Sequence, residues 1–599
     1  MESKLKLKLK KEALWIWWVL ALVLILGGGF LAHKIQTYDG ICIKDVRFMG
    51  SGGKLMSGLL YIPPTAGAKT PAPGIVAIHG YINSRETQDG FAIEFARRGY
   101  VVLAVDQPGH GFSDPPAFAN GFGGPDSLKY LRSLDFVDPN NVALEGHSMG
   151  GWAALSAAAV IPDGYQSIVV TSSSTGTFGV PQGTATYPRN MALIYSKYDE
   201  FSTIMWGAPV PAAVVDSKKA RKVFNIEKTI QVGKQYGDIA AGTARKLYQP
   251  SMIHPRTHFS TEAIGDAVEW MQATLNGGND LAPSNQIWIW KEIGTLIALI
   301  GMVVLIFPTG LALLKTSYFK KLAEAPASGR PVKGYGWWIS AVLMILIPLP
   351  VYVWAWSFHG SGIAKARWVW GQQITTTVMF WALGVALISI VLFLLWHFLI
   401  NRKSGALFSD YGMIWAGRGF RIDYIGRSFI LAVIVVVAAY LSLAFSDWAF
   451  KTDYRFWVFA VKPMIRLHFA MALAYIIPFI LYFLVMGLVV HGQMRKFGHN
   501  GQPLPFWKEA LVNIALLISG FIIFFLYQYI PLFSGATMAI PELNLATIVM
   551  FQFVPMFILV ALVSTFFYRR TGHLYVGAFT CALLVTWTLV AGQATHFPY

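Results

Sequence analysis

The sequence predicts a mostly parallel α/β domain joined to an all-α bundle of membrane-spanning helices. The 599-residue chain is 55% hydrophobic and only 13% charged, whereas soluble domains are about one quarter charged. Between residues 74 and 160, continuous apolar runs alternate with helix patterns, which is typical of a parallel sheet covered on both faces. The segment 286–599 consists of apolar runs that are long enough to cross a bilayer.

The elements of the α/β domain follow one another in an order that the apolar runs reveal. I-C-I-K-D-V-R-F and K-L-M-S-G-L-L-Y-I-P predict an opening hairpin. The strands G-I-V-A-I-H-G, Y-V-V-L-A-V-D and N-V-A-L-E-G then alternate with helices, the first of which ends at Gly99. Ligands of such sheets bind beyond the carboxyl ends of the strands, so candidate site residues are expected there.

Composition divides the chain into three parts: 1–33, 34–285 and 286–599. The first part has a Lys-rich end and an apolar run at 13–32, which is predicted to be an uncleaved anchor because it is long enough to cross a bilayer. The second part is the predicted globular α/β domain. The third part contains eight further expected spans, about nine in total, at approximately 293–314, 337–357, 374–400, 428–446, 468–490, 510–530, 545–568 and 576–595.

The formal net charge of +17 is explained better by membrane topology than by nucleic-acid binding. Lys and Arg are concentrated in the alternate loops 315–336, 401–427, 491–509 and 569–575, whereas loop 531–544 has none. This asymmetry predicts a multi-pass protein of the cell membrane with its α/β domain outside the cytoplasm. The loop 447–467 departs from the pattern, and its mixture of aromatic and cationic residues suggests a helix lying in the membrane interface.

Several classes of function are disfavoured by what the sequence lacks. Its two cysteines, Cys42 and Cys581, are too far apart in sequence to indicate a disulfide framework or a thiolate metal site. The expected spans contain almost no ionisable residues and no clear internal repeat, which argues against an ion-coupled transporter. No metal or organic cofactor is expected, and the oligomeric state stays open.

The segment V-A-L-E-G-H-S-M-G-G at 142–151 predicts a nucleophile elbow. An apolar strand leads into Gly-x-Ser-x-Gly, and a helix of small residues follows. Ser148 is therefore expected on a tight, strained turn. Gly146 and Gly150 flank it because a side chain at either position would clash with neighbouring backbone.

The stretch 74–260 resembles the α/β-hydrolase superfamily, and is most similar to its dienelactone-hydrolase-like and peptidase-like serine esterase branches. The matching motifs are H-G-Y at 79–81, D-Q-P-G-H-G-F-S at 106–113, D-P-N-N before the elbow, and T-H-F-S at 257–260. The resemblance implies an α/β-hydrolase fold and a triad in the order Ser, acid, His. It covers about two fifths of the chain and implies nothing about the membrane-spanning part.

The resemblance implies that Asp199 is the acid and favours His258 as the base. Asp199 follows the apolar strand N-M-A-L-I-Y, where the family carries its acid, and Glu200 is the adjacent competitor. His258 precedes a helix cap at Ser260 or Thr261, where the family carries its base. His254 is the alternative, disfavoured because Pro255 stiffens its loop.

The resemblance also implies an oxyanion hole made by the backbone amides of Tyr81 and Met149. His79, Asp106, His110 and His147 are expected to be structural. The long connection between acid and base suggests a lid or an extra hairpin. F-S-T-I-M-W at 201–206 is expected either to line an acyl pocket or to belong to the core.

These expectations combine into a membrane-anchored serine hydrolase that cleaves carboxylic esters, of small molecules or of lipid and other amphiphilic substrates. An acyltransferase, or an amidase or peptidase, would use the same triad and acyl-enzyme. From another class, a membrane sensor or transporter with a hydrolase-like binding domain is the alternative. The intact set of Ser, acid and His argues against that reading, and the expected partners are the bilayer and an ester substrate.

Overall fold

A computed structural model describes residues 14–327, 329–359, 362–498 and 501–599. The predicted Lys-rich end before Leu14 lies outside these described residues. The structure has two parts, an α/β domain with one large sheet and an array of long apolar helices.

The α/β domain is built on a nine-stranded sheet in the order β1-β2-β4-β3-β5-β6-β7-β9-β8. Strands β3 to β7 and β9 pair in parallel, and the antiparallel hairpin β1–β2 opens the sheet as the sequence predicts. The strands are β1 Cys42–Met49, β2 Leu55–Ile62, β3 Ala72–Ile78, β4 Val101–Asp106, β5 Val137–His147, β6 Ser167–Thr171, β7 Met191–Ile194, β8 Gln235–Tyr236 and β9 Arg245–Tyr248.

Helices cover both faces of this sheet because the parallel strands are apolar on both faces. Every residue of β3, β4, β6 and β7 is buried. Two hydrophobic clusters form the core, one between the sheet and α3 and α4, the other between the sheet and α2 and α7. The helices of this domain are α2 Asp89–Arg97, α3 Gly124–Arg132, α4 Met149–Val160, α5 Ser202–Trp206, α6 Lys218–Phe224 and α7 Thr261–Thr274.

In the described part of the chain, nine helical segments have the length and composition to cross a membrane, as the sequence predicts. The first is α1, Leu14–Gln36, which precedes the sheet. The others follow it: Trp288–Lys315, Tyr335–Ser357, Gln373–Leu399, Ile422–Phe450, Arg466–Gln493, Phe506–Phe533, Pro541–Thr571 and Tyr575–Gly592.

Within these segments the helices are numbered in chain order, and two segments are interrupted. They comprise α8 Trp288–Lys315, α9 Tyr335–Leu346, α10 Pro348–Ser357, α11 Gln373–Leu399, α12 Ile422–Phe450, α13 Arg466–Gly487, α14 Phe506–Phe533, α15 Asn544–Met550, α16 Phe553–Thr571 and α17 Tyr575–Gly592. The break between α15 and α16 falls beside the cavity that Ser148 lines, which is described below.

The loop 447–467 contains a β-hairpin where an interfacial helix was expected. Strands β10 (Tyr454–Phe456) and β11 (Phe459–Val461) pair antiparallel, and Trp457 adopts a positive φ of 52° at the turn between them. The expectation of a helix is therefore wrong. Aromatic and β-branched residues at close spacing favour strands, and this hairpin packs between the two parts of the molecule.

Helix α1 packs closely along α8 through small residues. A Cβ atom on Gly28 would lie 2.5 Å from the carbonyl oxygen of Gly294, and one on Gly294 would lie 2.7 Å from that of Gly28. Such close backbone approach is typical of membrane helix pairs, where van der Waals packing drives association. The spans on either side of the α/β domain are thus bound to each other.

Candidate active site

The turn after β5 has the geometry that the elbow motif predicts. Ser148 has φ 55° and ψ −118°, a strained conformation for a residue with a side chain. A Cβ atom on Gly146 would lie 2.1 Å from the carbonyl oxygen of Gly150, and one on Gly150 would lie 2.0 Å from that of Ile78. Both positions therefore need glycine, and the turn holds the Ser148 side chain clear of the sheet.

Asp199 pairs with His254 at the carboxyl end of the sheet. The Nδ1 atom of His254 lies 2.9 Å from Oδ2 of Asp199. The other oxygen, Oδ1, accepts hydrogen bonds from the Tyr195 hydroxyl at 3.2 Å and the Phe201 amide at 3.0 Å. With its proton on Nδ1 and donated to Asp199, the neutral imidazole of His254 leaves Nε2 as an acceptor.

His258, the base favoured by the sequence, does not contact Asp199. A parallel β-bridge pairs Tyr198 with Ile253. The residues that follow them, Asp199 and His254, are therefore neighbours. His258 lies four positions further along the same turn, with its ring 4.9 Å from that of His147. Neither of its ring nitrogens has a hydrogen-bond partner among the described residues. The preference for His258 is corrected to His254.

Glu200, the competitor of Asp199, is engaged elsewhere. Its Oε2 accepts the backbone amide of His254 at 2.8 Å, and its Oε1 accepts the hydroxyl of Tyr529 on α14 at 2.6 Å. Glu200 therefore links a membrane helix to the backbone of His254, whereas Asp199 holds the imidazole itself.

Burial and neighbouring charges shift the pKa values of His254, Glu200 and His258. Burial alone would lower the pKa of His254, but the Asp199 carboxylate outweighs it and raises that pKa above the ordinary histidine value. Burial, reinforced by Asp199, raises the pKa of Glu200 to about 7. Burial, together with Arg455 and His254, lowers the pKa of His258 to about 3, so His258 is neutral at physiological pH.

The loop after β3, which carries the expected oxyanion residue Tyr81, lies against the elbow. A Cβ atom on Gly80 would lie 3.2 Å from Cβ of Ser148. Tyr81 and Ser148 line one cavity, and Met149 is the first residue of α4. The expected oxyanion residues are thus placed on the two segments that flank Ser148.

His79 is fully occupied by the backbone around it. Its Nδ1 lies 2.6 Å from the carbonyl oxygen of Gly80, and its Nε2 accepts the Gln107 amide at 3.1 Å. Asp106 accepts the Arg85 amide at 2.9 Å and the Phe112 amide at 3.1 Å. These contacts join the loop after β3 to the loop after β4, consistent with structural roles.

Ser148, His254 and His258 line one cavity, of about 50 Å³. Part of its lining comes from the membrane helices and their loops. Four residues of that part, here called the cavity roof, are Val458, Leu545, Ile548 and Gln552. Phe201 is the member of the 201–206 segment that lines the cavity, whereas Met205 and Trp206 are buried in the core.

The β10–β11 hairpin contacts both loops that flank the cavity. Arg455 donates to the hydroxyls of Thr87 at 2.9 Å and Ser84 at 3.1 Å, just after the oxyanion loop. Trp457 donates its indole N–H to the carbonyl of Pro255 at 2.7 Å, next to His254. The hairpin therefore spans from one side of the candidate site to the other.

The segment after α17 makes a third set of contacts with the α/β domain. The Thr595 amide donates to the Gly109 carbonyl, and the Ala117 amide donates to the Thr595 carbonyl, both at 2.8 Å. Nε2 of His596 lies 2.8 Å from the Tyr81 hydroxyl. The loops that surround the elbow are therefore packed against the membrane-spanning part at several points.

A hydroxyl on a strained turn, an imidazole and a buried carboxylate are the groups that nucleophilic acyl transfer requires. Serine is a poor nucleophile at neutral pH unless a neighbouring base accepts its proton. No cluster of three or more His, Cys, Asp or Glu side chains suited to a metal ion is found among the described residues.

Comparison with known proteins agrees with the fold. Residues 73–200 match a family model described as the alpha/beta hydrolase fold. The chain contains an α/β-hydrolase domain. Among solved structures, an esterase of Pyrococcus furiosus is 16% identical with a TM-score of 0.30, covering 39% of this chain and 92% of that one. A predicted hydrolase of Thermoplasma acidophilum is 16% identical with a TM-score of 0.27, covering 39% of this chain and 96% of that one.

The curated relatives match a shorter stretch. Uncharacterized proteins of Mycobacterium tuberculosis and Mycobacterium bovis are 32% identical over 108 residues, which is 17% of this chain and 29% of each relative. The chain thus spans less than a third of the length of these relatives.

Sequence reasoning missed the contribution of the membrane-spanning part to the site. Tyr529, Trp457 and the cavity roof lie far from the elbow in sequence, and no local motif marks them. The one available signal was the loop 447–467, whose cations do not fit the charge asymmetry of the other loops. Arg455, in that loop, pairs with buried polar groups of the α/β-hydrolase domain.

Proposed function

We propose that the protein is a membrane-anchored serine hydrolase that cleaves carboxylic esters through Ser148, His254 and Asp199. The observation that carries the proposal is the Asp199–His254 pair beside the same cavity as the strained Ser148. A binding domain has no need of a carboxylate that fixes the tautomer of a histidine beside an elbow serine.

In the proposed first half-reaction, Ser148 Oγ attacks the ester carbonyl carbon while Nε2 of His254 accepts the hydroxyl proton. The backbone amides of Tyr81 and Met149 donate to the oxyanion of the tetrahedral intermediate. The intermediate then collapses, the C–O bond to the alcohol breaks, and His254 returns the proton to the departing alcohol oxygen. An acyl-enzyme on Ser148 remains.

In the second half-reaction, water attacks the acyl-enzyme carbonyl and His254 accepts its proton. The bond to Ser148 Oγ breaks, the proton returns to that oxygen, and the carboxylic acid leaves. Asp199 stabilises the imidazolium that forms in each half-reaction and holds Nδ1 in the donating tautomer. Its hydrogen bonds from Tyr195 and Phe201 support this orientation.

Turnover of a p-nitrophenyl ester by the purified full-length protein in detergent tests the proposal. Ser148→Ala is expected to lower kcat by about 10⁴-fold or more. Ser156→Ala, on the helix after the elbow, is the matched control and is expected to retain activity. Equal turnover by wild type and Ser148→Ala would refute the assignment of the nucleophile.

The membrane-spanning part is proposed to hold the hydrolase domain at the outer face of a cell membrane. Support comes from the Lys and Arg residues in alternate loops between spans, which favour the cytoplasmic side. Protease treatment of intact cells is expected to cleave the hydrolase domain and to spare loop 401–427. Protection of the hydrolase domain, with cleavage of that loop, would reverse the proposed orientation.

A further inference from the structure

The cavity that contains Ser148 is bounded on one side by a single helix face from the membrane-spanning part. Leu545 and Ile548 on α15 and Gln552 just after it all line this cavity. Leu545 and Ile548, three residues apart, share one face of α15, and Gln552 lies at the break that follows this helix. The same span, Pro541–Thr571, is among the segments that can cross a membrane.

Helix α15 is fixed in place by hydrogen bonds on its other sides. The Tyr352 hydroxyl donates to the Ala546 carbonyl at 2.8 Å, and the Gln528 amide donates to the Thr547 hydroxyl at 3.0 Å. These contacts come from α10 and α14. The face toward Ser148 is therefore held rigidly, as a specificity-determining surface must be.

Gln552 is the polar member of this face. Within the described part of the chain, the hydrogen bonds of Gln552 come from its backbone, to Val549 at 3.2 Å and from Met556 at 3.3 Å. Gln552 is also one of the residues that line the cavity. A polar side chain in a membrane-spanning segment is costly and in general serves a function, because lipid offers it no hydrogen bonds.

We infer that this α15 face, Leu545, Ile548 and Gln552, is the part of the substrate site that selects an amphiphilic ester from the membrane. The inference rests on the proposed function. Leu545 and Ile548 contact the hydrocarbon chain of the substrate. The Gln552 amide hydrogen-bonds a polar group close to the ester, such as a hydroxyl of a glycerol moiety.

The chemistry of the cavity supports this substrate class over a water-soluble ester. Val458, Ile82 and Phe201 add further apolar surface around Ser148, and transfer of each methylene of an acyl chain from water to such a surface is favourable. The roof side chains belong to loops and helices of the membrane-spanning part, so a chain bound along them stays next to the bilayer.

A chain-length series tests the apolar contacts. We expect Ile548→Trp to lower kcat/KM for a long-chain p-nitrophenyl ester about tenfold more than for the acetate ester. Ile530→Trp makes the same change on α14 at a side chain that is 59% exposed, and serves as the control. An identical chain-length profile for the two variants would overturn the inference.

A head-group comparison tests Gln552. Mono-oleoylglycerol and methyl oleate share an acyl chain and differ in the hydroxyls beside the ester. We expect Gln552→Leu to lower kcat/KM for mono-oleoylglycerol about three- to tenfold more than for methyl oleate. Equal losses of kcat/KM on both esters would contradict the proposed role of Gln552.

Labelling of Ser148 by a small fluorophosphonate distinguishes a failure of the inference about α15 from a failure of the proposed function. Labelling that persists in Ile548→Trp and Gln552→Leu shows a folded elbow with a working base. An unchanged selectivity in those labelled variants overturns the α15 face as a selector and leaves the proposed esterase intact. Absence of labelling in the wild-type protein would instead refute the proposed function.

Discussion

At the scale of single residues, the candidate site depends on which of two histidines meets Asp199. His254 does so because the backbone bridge between Tyr198 and Ile253 aligns the positions that follow them. His258 lies in the same cavity, but its ring nitrogens find no partner in the described chain. His258 is therefore a neighbour of the site that contributes to its packing.

His254→Ala is expected to lower kcat for ester hydrolysis by about 10⁴-fold, since the Ser148 proton then has no acceptor. His258→Ala is expected to retain most of the activity. Steady-state turnover of the two variants, each checked for a normal elution profile in detergent, distinguishes them. Loss of activity in His258→Ala with activity retained in His254→Ala would reverse the assignment.

The pH profile is expected to report the raised pKa of His254. The reaction needs neutral His254, so activity falls as the pH drops through this pKa. The midpoint of the acid limb of kcat/KM is expected above about 6.5, the ordinary histidine value. The groups that face the ring are Asp199 and Glu200, together with His147 and His258, which burial keeps neutral.

Glu200→Gln serves as the control for this profile, because Glu200 itself has a pKa of about 7. The acid limb is expected to persist in Glu200→Gln with its midpoint still above the ordinary value, since Asp199 remains. Disappearance of the limb in this variant would assign the titration to Glu200 and not to His254.

The choice between the two histidines shows where sequence reasoning ends. The elbow could be predicted because Gly146, Ser148 and Gly150 are adjacent in the chain, and their strain is local. Asp199 could be predicted because an acid after a strand is also a local pattern. His254 and His258 lie four residues apart in one turn, and the pairing that selects between them joins distant segments.

At the scale of elements, the β10–β11 hairpin connects the membrane-spanning part to the hydrolase domain. Arg455 is buried and is held by Asp453, Thr87 and Ser84. Asp453 and Glu86 lie beside it as buried carboxylates. Because a buried charge that loses its partner is costly, this guanidinium is required for the two parts to pack together.

Arg455→Ala is expected to destabilise the folded protein by about 3–5 kcal/mol, since it leaves the Asp453 carboxylate buried without its paired cation. Thermal unfolding in detergent measures the effect. Lys451→Ala, just before the hairpin and partly exposed, is the control and is expected to change stability little. Equal stability of the two variants would show that Arg455 does not support the interface.

The α1–α8 pair offers a second test at this scale. Gly28→Leu is expected to destabilise the protein by about 1–3 kcal/mol, because even a Cβ atom at residue 28 would lie 2.5 Å from the Gly294 carbonyl oxygen. Gly27→Leu is the control, since a Cβ atom there meets nothing within 4 Å. Similar melting temperatures for both variants would contradict the close packing.

The elements of the sheet and the positions of the spans follow from the sequence because their signals are periodic and long. The hairpin does not, because its residues read as an interfacial helix when only their polarity is considered. The segment forms strands where Arg455 and Trp457 have hydrogen-bond partners on the hydrolase domain. Those partners are more than two hundred residues away in the sequence.

At the scale of the whole molecule, the membrane-spanning part does more than tether the hydrolase domain. It supplies the cavity roof, contacts the segment after β3 through Arg455 and His596, and contacts Pro255 and Glu200, on either side of the Asp199–His254 pair, through Trp457 and Tyr529. The two parts are therefore joined around the candidate site.

The central claim is that Ser148 is a nucleophile activated by His254, and covalent labelling tests it most directly. The full-length protein in detergent is treated with a fluorophosphonate, and the modified peptide is identified by mass spectrometry. The account predicts one adduct on Ser148 in the wild type, with much slower labelling in His254→Ala and none at this position in Ser148→Ala. A folded wild-type protein that remains unlabelled, or that carries the adduct elsewhere, would contradict it.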